Sequence, residues 1–395
     1  MNRLNRALCA IYSCALIFFP IAANADEPLQ AGDGTQSYAF PAVESPWQAL
    51  LDNAIARVIN GDDYVCSAPT ALDDYVVSQL NQIDVVSFFG LAAPGAFNAA
   101  ANMKILFDQD ASDEYIGLSG EFTREQIKRH KDNQRFWDVP TDDILLMGMH
   151  GNELTDTDTV INTLLFFGLP LPIAEYLVDT TQTIILGGDI DLSLYPSLFP
   201  GFPPPLATKH TVPGIPGGYS NPLFTLNAFA FSTRGAPVPG IGIVPDKIVM
   251  GEGLLEAITA IGLGINGPDY IHAHEFAHHV QLELGVFGAG PPTPEGTRRT
   301  ELMADGFGAY YASHARGSTF QAKRFADVMT SAFVVGDCGF ASPGHHGTHL
   351  QREAAAEWGG SVVKKARKKG HIESAANMLR KFDAVLPELV APDAP

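Results

Sequence analysis

The chain has 395 residues, of which 44 are acidic and 25 basic, giving a formal net charge of −19, and 46% are hydrophobic. This length and hydrophobic content can fill the core of one large domain or of two smaller ones. The strong negative charge repels nucleic acid and anionic lipid, so we expect neither as a partner.

The first residues have the pattern of a secretory signal peptide. Arg3 and Arg6 precede a short apolar stretch, and the small-residue triplet Ala23-Asn24-Ala25 ends it. This predicts a signal peptide over residues 1–25, with a single membrane anchor as the alternative. Cleavage removes two arginines and no acid, which changes the net charge from −19 to −21. We therefore expect a periplasmic or extracellular protein without a stable membrane span.

Two cysteines remain after this cleavage, Cys66 and Cys338. In an oxidising compartment they could form a disulfide between the early and late parts of the chain. Two buried free thiols are the alternative.

In the first half of the chain, helical spacing predicts helices at Pro46–Asn60, Leu72–Phe89 and Thr123–Phe136. Short apolar runs predict strands at Asp143–Met149 and Thr183–Leu186. The chain from Tyr195 to Pro222 is rich in proline and glycine. We expect a long connection there, without a helix or a central strand.

In the second half, strands are predicted at Leu223–Phe231 and Asp246–Met250. Three helices should follow, at Gly253–Ile261, at 267–285, and from Thr297 or Thr300 to Gly317. This order of elements indicates an α+β fold.

The second of these three helices carries the segment His274-Glu275-Phe276-Ala277-His278. Helix residues four apart differ by about 40° in direction and about 6 Å in height, so His274 and His278 project side by side. Two imidazoles in this arrangement can bind one zinc ion, with Glu275 beside the metal's water as a general base. Histidines that only satisfy hydrogen bonds in the core are the alternative, but this motif is rare by chance.

A catalytic zinc ion usually has three protein ligands and a water, so a third ligand is expected downstream. Glu301 and Asp305 lie four residues apart on the next predicted helix. One carboxylate could bind the metal while the other orients a ligand histidine through its free ring nitrogen.

Five other histidines lie near these motifs. His272 and His279 flank the zinc motif on other faces of the helix, so we expect them behind the ligands or at the surface. The cluster of His345, His346 and His349 could stabilise an oxyanion, bind a second metal or lie in a solvated loop.

Three segments within residues 223–360, HAHEFAHHVQ, RRTELMADGFGAYYA and VVGDCG with HGTHLQRE, resemble the bacterial neutral zinc metallopeptidase family. The resemblance implies a gluzincin-type site with His274, His278 and Glu301 as ligands. It further implies Glu275 as the base and acid, and Asp305 just behind the ligands.

The same resemblance suggests that Asn227-Ala228-Phe229 binds the substrate, because thermolysin-like enzymes carry a similar edge strand that pairs with the substrate backbone. A plain core strand is the alternative. The resemblance thus implies a gluzincin-like metallopeptidase domain over residues 216–390, made of a small sheet with an edge strand and zinc-binding helices. Residues 26–215 form a helix-rich region of unknown role, which could cover the cleft or fold as its own domain.

Two features depart from the family. Ala277 stands where the family often has glycine, a change between small residues that should be harmless. The part before Pro222 is larger and richer in loops than expected.

Together these features predict an exported endopeptidase that acts on peptides or proteins with one zinc ion. Glu275 would take a proton from the attacking water and pass it to the leaving amine. Tyr310, Tyr311, His346 and His349 are candidates for stabilising the oxyanion, with His346 preferred.

Three alternatives remain. One is a zinc-holding scaffold with an occluded cleft, and another is an enzyme that uses the same zinc-bound water on another bond, such as that of a small amide. The basic run at 364–369 could bind a polyanion or a membrane surface, but on so acidic a chain a solvated helix face is expected.

Overall fold

The computed structural model describes residues 61–66, 69–111, 115–199, 208–264, 266–287, 293–319, 322–340, 342, 344–365 and 370–393. The predicted signal peptide and the predicted helix Pro46–Asn60 lie outside these residues. Within them, no helix is both long and apolar enough to cross a lipid bilayer.

The described chain begins with four helices, α1 (Ala71–Leu80), α2 (Val85–Ala92), α3 (Ala99–Leu106) and α4 (Thr123–Phe136). The prediction of one helix over Leu72–Phe89 is wrong, because Asp84 starts a new helix there. Its carboxylate accepts hydrogen bonds from the backbone N–H groups of Val86 and Ser87, both at 3.0 Å. Helix α4 has the predicted bounds.

The next elements are β1 (Leu145–Met149), α5 (Thr157–Phe166), α6 (Leu171–Leu186), β2 (Gly188–Asp191), α7 (Tyr195–Leu198) and β3 (Lys209–Val212). The predicted strand Thr183–Leu186 is wrong, since it is the last turn of α6. Its β-branched residues favour a strand locally, but Ile184 and Ile185 are buried on the packed face of the helix. The prediction of no helix from Tyr195 to Pro222 is wrong, because the stretch contains α7. It also contains β3, which pairs antiparallel with β2 in a two-stranded sheet and is therefore not a central strand.

A three-stranded sheet contains β1, β4 (Ala228–Phe231) and β5 (Lys247–Gly251), in the order β1-β5-β4. Strand β5 runs parallel to β1 and antiparallel to β4, so β4 lies at an edge. The predicted strand from Leu223 begins later than expected, since Pro222–Phe224 forms a 3-10 turn capped by Asn221. The predicted N-terminal region, residues 26–215, and the predicted metallopeptidase domain, residues 216–390, both contribute to this sheet. Strand β1 lies in the first, and β4 and β5 lie in the second.

Six helices follow: α8 (Glu252–Ala260), α9 (Asn266–Glu283), α10 (Pro294–Ser313), α11 (Ala322–Val334), α12 (His349–Lys365) and α13 (Ala375–Leu389). Helix α10 begins earlier than predicted, because Thr293 caps it by accepting a hydrogen bond from Gly296 N at 3.1 Å. Many helices with two small sheets agree with the expected α+β class.

Helix α9 is buried along nearly its whole length against β4, β5, α4 and α10. Helices α9 and α10 approach closely, since a Cβ at Gly308 would lie 3.1 Å from the backbone nitrogen of His274. Helix α12 covers α10, and a Cβ at Gly359 would collide with the carbonyl oxygen of Gly306. These close approaches allow side chains from α9, α10 and α12 to meet.

Two further contacts connect distant parts of the described chain. Arg129 on α4 donates from Nε to Asp269 Oδ2 at 2.9 Å, in the first turn of α9. Cys66 and Cys338 form a disulfide, with Cα atoms 6.0 Å apart, that joins the segment before α1 to the loop between α11 and α12. This agrees with the first of the two alternatives for these cysteines.

Candidate metal centre

His274 and His278 on α9 meet Glu301 on α10. One ligand atom from each lies within 4.8 Å of the others. All three side chains are buried, at 6%, 3% and 2% exposure. This group could hold a metal ion, and it is the set of residues that the family resemblance implied.

The two imidazoles are oriented for metal binding. His274 Nδ1 lies 2.9 Å from Asp305 Oδ1, and His278 Nδ1 lies 3.3 Å from Gln281 Oε1. Gln281 uses its Nε2 to donate to Thr300 O at 2.8 Å, so its Oε1 must accept. Each Nδ1 therefore carries a proton, and each Nε2 is left for a metal.

The two Nε2 atoms face one carboxylate. His274 Nε2 lies 3.2 Å from Glu301 Oε2, and His278 Nε2 lies 3.4 Å from Glu301 Oε1. Two imidazole nitrogens and a carboxylate converging in this way form a donor set suited to a divalent cation.

Behind the ligands, Asp305 accepts three kinds of hydrogen bond. Besides His274, Tyr270 donates its hydroxyl at 2.8 Å, and Arg352 donates from Nε at 2.7 Å and Nη2 at 2.9 Å. Burial raises the pKa of Asp305, but Arg352 and then His274 outweigh it and hold the pKa below its usual value. Asp305 therefore stays ionised and fixes the ring of His274.

The protonation of His274 depends on the same carboxylates. Burial lowers its pKa, but the hydrogen bonds to Asp305 and Glu301 outweigh burial and raise the pKa to about 10. A proton on Nε2 and a metal ion compete for one lone pair, so metal binding must release this proton.

Glu275 follows His274 on α9 and is 8% exposed. Burial raises its pKa, while the charges of His274 and His278 oppose the increase. A buried carboxyl group beside the ligands, with a raised pKa, has the properties expected of a general base.

His346 lies in the loop between α11 and α12, where Asp337 holds it. Its backbone N–H donates to Asp337 Oδ2 at 2.7 Å, and its Nδ1 lies 3.0 Å from the same oxygen. Burial lowers the pKa of His346, but the hydrogen bond to Asp337 and the charge of Glu301 outweigh it and raise the pKa. His346 is thus held by Asp337 and coupled electrostatically to Glu301, a predicted metal ligand.

The cluster around His346 is not a solvated loop, which contradicts one of the three alternatives. His345 is fully buried and places Nδ1 2.7 Å from Asp337 Oδ1. His349 is 5% exposed, and its Nδ1 donates to Phe333 O at 2.7 Å.

The two tyrosine candidates for oxyanion stabilisation are engaged elsewhere. Tyr310 Oη accepts from Glu373 N at 2.8 Å, and Tyr311 Oη donates to Arg129 O at 3.3 Å. Of the remaining candidates, His346 has a charge that helps to lower the pKa of Glu301.

The histidines flanking the motif are buried in the core and contact residues outside the metal centre. His272 is buried against His130, with 3.1 Å between His272 Nε2 and His130 Nδ1. His279 is also buried, and its Nε2 donates to Lys247 O at 3.0 Å. The surface alternative is therefore wrong for both, and neither turns toward the metal ligands.

The predicted substrate strand lies beside α9. Asn227 directly precedes β4, and its carbonyl accepts from Gly251 N at 2.9 Å. Ala228 is partly buried and Phe229 is buried, on the edge strand that packs against α9. The suggested pairing with a substrate backbone remains a prediction.

Sequence reasoning did not assign Gln281, Arg352 or Asp337. Gln281 lies three residues after His278 on the same helix, a spacing that puts it beside the imidazole and could have identified it. Arg352 lies in the HGTHLQRE segment, but only the packing of α12 on α10 brings it to Asp305. Asp337 lies nine residues before His346 in a loop, where spacing carries no information about contact.

Comparisons with known proteins add little about function. An uncharacterised protein of Mycobacterium bovis and two of Mycobacterium tuberculosis are each 37% identical to this chain over 84 residues, which cover 18% of this chain and 29% of the relative. The chain thus spans under a third of the length of these curated relatives. No family model matches the chain, and no solved structure matches it.

Proposed function

We propose that this protein is an exported zinc endopeptidase with a gluzincin-like core. The observation that carries the proposal is the convergence of His274 Nε2 and His278 Nε2 on the two oxygens of Glu301, at 3.2 and 3.4 Å. Two imidazoles and one carboxylate are typical protein ligands of catalytic zinc, and this set leaves room for a water.

A zinc ion at this position would lower the pKa of a water and polarise a peptide carbonyl group. Glu275 would take a proton from the attacking water and deliver it to the leaving amine, as its place beside both histidines suggests. Its burial favours proton uptake, because the raised pKa makes the carboxylate a stronger base.

Two other groups would act on the substrate. His346, held by Asp337, which raises its pKa, would donate a hydrogen bond to the oxygen that gains negative charge. Strand β4 would pair with an extended peptide at the sheet edge, through the segment Asn227-Ala228-Phe229.

Export is supported by the disulfide between Cys66 and Cys338, because disulfides persist mainly in oxidising compartments. A zinc-holding scaffold is the rival proposal. A purely structural site has no use for Glu275 and would more often be closed by a fourth protein ligand.

The proposal is tested by removing and restoring the metal. The purified chain should cleave an unfolded protein substrate, lose this activity on chelation, and regain it with about one equivalent of zinc. A chain that holds one zinc ion but cleaves nothing would favour the scaffold.

The ligand assignment has a separate test. Glu301→Ala should lower zinc affinity about 100-fold or more, since it removes a direct ligand. Glu357→Ala, at an exposed position of α12, is the matched control and should bind zinc like the parent. Equal affinity of Glu301→Ala and the control would refute the role of Glu301.

A further inference from the structure

The segment just before α1 lies against the loop that carries His346. Besides the disulfide between Cys66 and Cys338, the Tyr64 ring stacks on Phe340 with centroids 5.6 Å apart. The same segment is fixed to the C-terminal end of the chain, since Tyr64 Oη donates to Val390 O at 2.9 Å. The disulfide therefore ties the loop to an anchored segment.

Within the loop, Cys338 is the direct neighbour of Asp337. The backbone N–H of Asp337 donates to Gly347 O at 2.9 Å, and its carboxylate accepts from the backbone of Gly339 at 2.6 Å and of His346 at 2.7 Å. Asp337 thus forms hydrogen bonds with residues on both sides of the loop. The next residue, Cys338, forms the disulfide.

We propose that the Cys66–Cys338 disulfide is a positioning element of the active site, which holds Asp337 and through it His346 at the metal centre. The inference rests on the proposed function, and it makes peptide hydrolysis depend on the oxidation state of these two cysteines. Reduction by a dithiol breaks the S–S bond, adds two electrons and two protons to give two thiols, and oxidises the dithiol to a disulfide.

The physical reason is the cost of ordering a loop. The disulfide joins residues 272 positions apart, so without it the approach of Cys66 to the loop depends on noncovalent contacts alone. Loss of the crosslink lets the Asp337 backbone move, and the imidazole of His346 moves with it. The ligands His274, His278 and Glu301 lie on α9 and α10 and should keep their positions.

The test uses the disulfide-bonded chain, a Cys66→Ser/Cys338→Ser variant, and Asp337→Asn, which keeps the disulfide. In the serine variant, hydrogen exchange at the Asp337 and His346 amides should accelerate about 10-fold or more, while amides of α9 keep their protection. The kcat for an unfolded protein substrate should fall about 10- to 100-fold, with zinc content and KM unchanged.

A double-mutant comparison separates positioning from general stability. His346→Ala should lower kcat in the disulfide-bonded chain but cause little further loss in the serine variant or in Asp337→Asn. The reason is that each of these changes removes the same contribution, that of His346 to kcat. Should the serine variant fail to fold, reduction of the folded parent by a dithiol, with and without His346→Ala, supplies the same comparison.

Unchanged exchange at Asp337 and His346 in the serine variant, or a lower melting temperature with an unchanged kcat, would overturn the inference. Full additivity of His346→Ala with the serine substitutions would do the same. Failure of the proposed function looks different, since the disulfide-bonded parent would then hold zinc and cleave nothing. The expected effect of the disulfide on kcat would then be refuted as well, while the exchange rates would still show whether the disulfide holds the loop.

Discussion

Arg352 on α12 donates from Nε and Nη2 to both carboxylate oxygens of Asp305, at 2.7 and 2.9 Å, and the same Asp305 accepts from His274 Nδ1 at 2.9 Å. Arg352 Nη2 also lies 3.6 Å from Glu301 Oε2. Helix α12 thus takes part in the metal centre although it provides no ligand, because its arginine balances two buried carboxylates.

Replacing this arginine should therefore affect both stability and metal binding. Arg352→Met leaves the charge of Asp305 buried without its main partner, which should lower the free energy of unfolding by about 3–5 kcal/mol. Zinc affinity should fall about 10- to 100-fold, because His274 loses its fixed orientation. Chemical denaturation of the metal-free protein and zinc titration measure the two effects.

The matched control is Arg299→Met. Arg299 pairs with Asp383 at 2.6 Å, and the two side chains are 30% and 46% exposed. A pair this accessible should contribute at most about 1 kcal/mol. Equal losses for the two variants would contradict a special role for Arg352.

Gln281 should matter through His278. Gln281→Leu keeps a side chain of similar size but removes the oxygen that accepts from His278 Nδ1. We expect zinc affinity to fall about 10- to 100-fold, because the ring and its tautomer are no longer fixed. Zinc titration checks this, with Gln82→Leu at an exposed position as control. If both variants bind zinc like the parent, the tautomer assignment for His278 is wrong.

The pH dependence of stability should show a contribution from His150, which lies away from the metal centre at the end of β1. Burial lowers the pKa of His150, but its hydrogen bond to Glu252, at 2.8 Å, outweighs burial and raises the pKa. A raised pKa in the folded state stabilises the fold below the unfolded pKa, and this contribution is lost as the pH rises through the folded pKa.

The parent should therefore lose stability relative to His150→Gln as the pH rises from about 5.5 to 8.5. Urea denaturation of both proteins across this range measures the difference. A constant difference, or one that grows with pH, would show that Glu252 does not stabilise the charged form of His150.

The two candidate ligand histidines and the carboxylate pair could be predicted from the sequence because they follow helical spacing, while the family resemblance selected Glu301 as the ligand. His274 and His278 are four apart, and so are Glu301 and Asp305, and an α-helix fixes the direction of such pairs whatever surrounds it. The predicted bounds of helix α4 and strand β5 are also close to those in the structure, because the residue patterns of both elements agree with the burial of their side chains.

The remaining features depend on contacts between distant parts of the chain. Thr183–Leu186 has the composition of a strand, yet the burial of Ile184 and Ile185 keeps it in α6. Arg352 and Asp337 reach the site only through the packing of α12 on α10 and through a loop joined to Cys66. No local pattern encodes either contact.

The role of Glu275 in peptide hydrolysis is measured with Glu275→Gln, compared with the parent for zinc content and for cleavage of an unfolded protein. Glutamine keeps the shape of the side chain but cannot accept the proton of the attacking water. We expect about one zinc ion per chain in both proteins and a fall in kcat of at least about 1,000-fold in the variant. Cleavage by Glu275→Gln at the rate of the parent, with equal zinc content, would contradict it.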